Sequence, residues 1–173
     1  MSRSLAERLS ALPKPVFVAA YGSIYEHSPW VAEGVWPEVE AGRCPDVEAL
    51  AAAMAAVVEA APHGQKLALI RAHPQLADRA KVDMAPDSVR EQSGAGLDRC
   101  SPEEFEAFQR LNGAYNARFG FPFIVAVKGM DRRQILDAFE ARLNNDPETE
   151  FAQALRQIHR IARFRLEDLT SRP

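Results

Sequence analysis

The chain has 173 residues, 47% of them hydrophobic, enough apolar side chain for one domain with a sizeable core. Its 21 basic and 24 acidic residues are spread along the chain and leave a formal charge of -3, so there is no basic stripe for nucleic acid or an anionic membrane. No apolar run approaches the roughly 20 residues needed to cross a bilayer. The first residues, Met1 to Arg8, alternate charged and apolar side chains where a secretory signal needs a continuous apolar run. The final Thr170-Ser171-Arg172-Pro173 is not a peroxisomal Ser-Lys-Leu address. Cys44 and Cys100 lack Cys-x-x-Cys spacing and read as thiols of a reducing cytoplasm.

Asp46 opens the first clear helix, Val47 to Ala61, whose Leu50, Met54, Val57 and Val58 form one apolar stripe before Pro62-His63-Gly64 stops it. A second helix is expected over Gln65 to Ala72. His73 then precedes Pro74, and a proline disfavours helical backbone in the residue before it, which puts the histidine at a helix break. Ser88, Glu91 and Gln92 stand at i, i+3 and i+4 and project from one face of a short helix that Gly94-Ala95-Gly96 ends. Ser101-Pro102-Glu103-Glu104 combines an N-cap serine, a proline at the first helical position and a glutamate at the third, and predicts a helix to about Arg118, closed by Gly120. Phe121 to Val127 is aromatic, β-branched and close to Pro122, which predicts an extended, buried segment. Asp131 opens a helix to Leu143, and Asp146-Pro147 opens the last, to about Leu169. At least six helices without βαβ alternation predict an all-α fold, a single compact multi-helix bundle domain over 1–173.

Three features carry possible chemistry, each with a plain structural alternative. On the last helix, at about 100° per residue, Phe151, Leu155, Ile158, Ala162 and Leu169 share a stripe, and Arg165 lies about 40° from its centre. A guanidinium aimed into apolar surroundings needs an anion, either a bound substrate or an internal salt-bridge partner. Ser88-x-x-Glu91 forms a polar wall, or else it is a capping box. His73 is suited to proton transfer, or it is an ordinary satisfied histidine. His27, His63, His73 and His159 show no His-x-x-x-His spacing, so no metal site is expected. No phosphate-binding glycine loop, Gly-x-Ser-x-Gly elbow or Cys-His signature is present.

Ordered stretches over almost the whole chain resemble the 2-oxo-4-hydroxy-4-carboxy-5-ureidoimidazoline (OHCU) decarboxylase family. They are Tyr25 to Glu33, Leu69 to Ala77 with its Ala72-His73-Pro74, Ser88 to Leu97, Leu111-Asn112 with Tyr115 and Arg118 to Phe123, and Ile161 to Leu166. Gln75, where the family often has an acidic residue, and the connection Gly42-Arg43-Cys44-Pro45 depart from the pattern. The resemblance implies a helical, usually homodimeric enzyme without metal or organic cofactor, acting on OHCU to give (S)-allantoin after urate oxidation and hydrolysis. It implies His73 as proton donor with Glu91 orienting it. Substrate contacts are implied for Pro74, Ser88, Gln92, Arg165 and the backbone of Phe123, Ile124, Val125, Ala126 and Val127. A cofactor-independent lyase or hydrolase on another purine-derived heterocycle, and a non-catalytic helical interaction module, are the competing readings.

Overall fold

A computed structural model describes residues 3–78 and 84–172. Among the described residues the chain forms nine α-helices, one 3-10 turn and no strand, so the all-α expectation holds. It divides into two units, Met1–Leu69 with His159–Pro173, and Ile70–Ile158.

The first unit contains three helices beyond those expected from the sequence. Helix α1 (Leu5–Ser10) starts at a reciprocal cap, in which Ser4 Oγ accepts the Glu7 N–H and the Glu7 carboxylate accepts the Ser4 N–H. Helix α2 (Lys14–Tyr21) begins after Pro13. Its Phe17 stacks on Tyr21 and meets Trp36 of α3 (Trp30–Glu40). Asp46 caps α4 (Val47–Ala60) by accepting the Ala49 N–H at 2.8 Å, as expected. Leu50, Met54 and Val58 are buried, while Val57 lies at the α3–α4 contact. There Gly34 is required, because a Cβ on it would lie 2.6 Å from Val57 Cγ1. Contrary to expectation, His63 and Gly64 do not form a helix-stopping loop but open α5 (His63–Ala72). The Pro62 carbonyl accepts the Gln65 and Lys66 N–H groups and so begins the helix two residues early.

The second unit holds α6 (Pro86–Gly94), the 3-10 turn Leu97–Arg99, α7 (Pro102–Phe119), α8 (Arg132–Arg142) and the N-terminal part of α9 (Pro147–Ser171). The Ser101–Glu104 capping box forms, and Gly120 takes the left-handed conformation (φ 75°) that closes α7. Asp131 and Gln134 make a second reciprocal cap on α8, and Asp146 caps α9 through the Thr149 N–H. Phe108, Leu111, Tyr115, Phe123, Ile135 and Phe139 fill the core. Phe123 stacks on Phe139 at 3.9 Å, and Tyr115 presents its edge to both.

The apolar stripe of α9 needs one correction. Leu155, Ile158 and Ala162 of the predicted stripe are buried and Phe151 and Leu169 only half-buried, while Glu150, Ala154, Gln157, Ile161, Arg165 and Leu166 extend the buried face. At about 100° per residue the buried face is wider than the predicted stripe and reaches further on the side of Glu150 and Gln157, so Arg165, about 40° from the stripe's centre, stands near the middle of the buried face. Arg156, Arg160 and Arg163 are exposed, as expected.

Candidate active site

Helix α5 stops where Pro74 forbids its continuation, and His73, only 8% exposed, still donates its N–H to the Ile70 carbonyl at 3.2 Å. The chain that follows is held by side chains from two helices. Gln92 of α6 accepts the Ala77 N–H at 3.0 Å through Oε1 and donates from Nε2 to the Gln75 carbonyl at 3.2 Å. Asn112 of α7 donates to the Leu76 carbonyl at 3.0 Å. Ala77 is left-handed (φ 56°), a conformation costly for alanine that these bonds stabilise. Both ends of the Gln92 amide therefore engage the main chain just beyond His73, a role that its place on the polar face of a short helix does not foretell.

Of the two readings of Ser88-x-x-Glu91, the capping box does not form. Pro86, with φ already fixed and no N–H to lose, takes the first helical position after Ala85, which puts Ser88 at the third helical position, three residues past the N-cap. Ser88 and Gln92 are buried on the same side of α6 and Glu91 is half-buried, while Asp87 and Arg90 pair on the outside. Arg132 packs against the end of the helix. Gly96 is left-handed (φ 78°), its carbonyl accepts from Arg132, and a Cβ there would lie 2.7 Å from Arg132 Nη1.

Residues 121–127 form neither helix nor strand, and all but Val125 are buried. Buried peptide groups require partners, and here side chains supply them. Arg142 donates to the Ile124 carbonyl and lies 4.4 Å over the Phe123 ring. The same guanidinium is bound by the fully buried Glu150, with Nη2 to Oε2 at 2.8 Å. Glu150 also accepts from the Tyr115 hydroxyl and from Asn145. Gln157 Oε1 accepts the Ala126 N–H at 3.0 Å. Arg142, Glu150 and Gln157 escape a reading of the sequence, in which charged and polar residues near helix ends look solvated. For Glu150 and Gln157 the one signal is helical phase, since with Arg165 they fall on a common face of α9.

Burial pushes the Glu150 carboxyl up, but hydrogen bonds from Arg142, Tyr115 and Asn145 outweigh it and hold the group below the ordinary glutamate value. Burial first, and the carboxylate next, raise the Tyr115 phenol. The contribution of a carboxyl lowered in this way is complete above its unfolded pKa of ~4.3 and disappears as the pH falls through the folded value. Glu150→Gln should therefore be less stable than the parent at pH 7, and the gap should narrow below about pH 4. Thermal unfolding followed across that range checks this, and a gap independent of pH contradicts it.

Arg165 belongs to the first unit, where its charge is already balanced. Its Nη2 is 3.0 Å from Glu26 Oε2, both side chains are almost wholly buried, and Nη1 donates to the carbonyls of Ile24 (3.3 Å) and Ser23 (3.4 Å). Of the two anions that the sequence left open for Arg165, the internal salt-bridge partner is present, and it is Glu26. The Glu26 turn is itself tied down. Ser28 Oγ donates to the Glu26 carbonyl, and the Tyr25 hydroxyl bonds His159 Nδ1 at 2.8 Å, with His159 Nε2 2.9 Å from Glu59.

Among the described residues no group of three or more His, Cys, Asp or Glu side chains is gathered for a metal ion, and no helix is long and apolar enough to cross a membrane. The class defined is an all-helical protein in which a buried histidine follows a helix break and its loop is gripped by a helix bearing serine, glutamate and glutamine. The family model for OHCU decarboxylase matches residues 10–167. The chain is 42% identical to the 2-oxo-4-hydroxy-4-carboxy-5-ureidoimidazoline decarboxylase of Halalkalicoccus jeotgali, over 98% of this chain and 94% of that one. It is 47% identical to the uric acid degradation bifunctional protein PucL of Bacillus subtilis, over 86% of this chain and 29% of that larger protein. A crystal structure of (S)-allantoin synthase superposes with a TM-score of 0.76 at 35% identity; 95% of this chain matches it, spanning 53% of that chain. An OHCU decarboxylase crystallised in the presence of (S)-allantoin gives a TM-score of 0.60 at 26% identity, covering 72% of this chain and 81% of that one. The chain belongs to the OHCU decarboxylase family.

Proposed function

We propose that this protein decarboxylates OHCU to (S)-allantoin in urate breakdown, with residues 1–173 acting as one decarboxylase domain. The bond to the carboxylate breaks and its electron pair forms a ring C=C bond, while the adjacent C=N pair moves onto nitrogen, which takes a proton. The substrate is its own electron sink, so the reading requires no metal or organic cofactor. The hydroxyl proton then leaves as the carbonyl forms, and His73 delivers a proton to one face of the ureido-bearing carbon. Glu91 orients His73. Pro74, Ser88, Gln92 and the backbone of Phe123 to Val127 are assigned to the ring, and the role proposed for Arg165 is to bind its anionic or carbonyl group.

The observation that carries this reading is the grip of Gln92 on residues 75 and 77, which ties the helix of Ser88 and Glu91 to the loop of His73. The enzyme is further read as cytoplasmic, which two cysteines that form no disulfide support, and as a homodimer, which the family resemblance implies. Freshly generated OHCU, turned over in the presence of a strong chelator, tests the proposal. The expected results are (S)-allantoin by circular dichroism, a rate unaffected by the chelator and a solution mass of two chains. Absence of turnover, or a chelator-sensitive rate restored by added metal, overturns it.

A further inference from the structure

Peptide groups in the 121–127 segment divide into two sets. On one side, Arg142 takes the Ile124 carbonyl and Gln157 takes the Ala126 N–H. These bonds fall two residues apart, the period at which an extended chain turns its peptide groups the same way. The groups of Val125 and the N–H of Val127 fall in the opposite phase. Among the described residues neither of these two N–H groups makes a hydrogen bond, and Val125 is the only residue of the segment that is not buried. An N–H, a C=O and a second N–H in sequence form a donor-acceptor-donor edge, complementary to the alternating carbonyl and N–H groups of a cyclic ureide.

We infer that Gln157 is a positioning residue that sets the register of this edge: by holding the Ala126 N–H on one side, it turns the Val125 and Val127 peptide groups to the other, where they bind the ureide. The inference rests on the proposed function and adds a residue to it. Gln157 is suited to the task because it sits two helical turns beyond Glu150, which anchors Arg142, so one face of α9 holds both side-chain clamps. An amide can also accept the Ala126 N–H without placing a charge in the core.

The test compares Gln157→Met, which keeps length and burial but loses the acceptor, with Gln157→Glu, which keeps an acceptor oxygen. In Gln157→Met the KM for OHCU should rise about tenfold with kcat within about twofold, the pattern of lost uniform binding, and Gln157→Glu should restore most of the affinity. A KM unchanged in Gln157→Met, with only thermal stability lowered, overturns the inference and leaves Gln157 a packing residue. Amide hydrogen exchange gives a readout independent of catalysis. The Ala126 amide should exchange at least about tenfold faster in Gln157→Met and slow again in Gln157→Glu, since exchange follows local opening of the bonded group. Unchanged exchange at Ala126 overturns the inference even if the enzyme is active. Failure of the parent protein to turn over OHCU, with the exchange pattern as expected, overturns the functional reading instead.

Discussion

His73→Asn should slow decarboxylation by about 100-fold or more, the scale of a general acid-base group, and the product still formed should be racemic. The histidine is buried, follows the last turn of α5 and precedes a proline, so its backbone has little freedom. The next residues are fixed by three side-chain bonds from Gln92 and Asn112. A ring carried on so fixed a backbone can present its proton to one face of a planar intermediate, and that is the origin expected for the handedness of the product. Asparagine keeps a polar group of similar reach but has no proton to transfer near neutral pH. Circular dichroism of the product, recorded before spontaneous racemisation, separates the outcomes. A variant giving (S)-allantoin at near the parent rate removes His73 from the mechanism and makes Glu91 the proton carrier.

Arg165→Met should destabilise the fold as well as weaken binding, because it leaves the Glu26 carboxylate buried without its cation. Breaking a buried pair from one side costs about 3–5 kcal/mol, and with roughly 2–4 °C per kcal/mol for a chain of this size the melting temperature should fall by about 10 °C. Removing both charges is a different perturbation, since replacing a buried pair with apolar side chains of similar volume is often neutral. Arg165→Met combined with Glu26→Met should therefore recover most of the lost stability. Substrate contact and structural pairing then separate cleanly. If Arg165 touches the substrate, the doubly substituted protein is stable and its KM stays raised; a KM that returns to the parent value leaves Arg165 with a purely structural role.

Elements with local signals are legible in the amino-acid sequence alone. Asp46, Ser101 with Glu104, Gly120 and Asp131 each act on backbone groups within four residues of themselves, and each caps the helix expected of it. His73 at a helix break follows from Pro74 by the same short-range sterics. Where two local signals compete, the sequence leaves the choice open, and Pro86 takes the helix start that a cap at Ser88 would have needed. The partners of buried polar groups are not legible, because an isolated Arg142, Glu150, Gln157 or Glu26 is as well satisfied by water as by protein and carries no mark of which it will meet. Only tertiary folding removes the water and brings Glu150 to Arg142, eight residues away, Ala126 to Gln157, 31 residues away, and Glu26 to Arg165, 139 residues away. Apolar phase along a helix determined which face would be buried, whereas the cost of leaving a buried donor or charge unmatched determined what each polar side chain would hold.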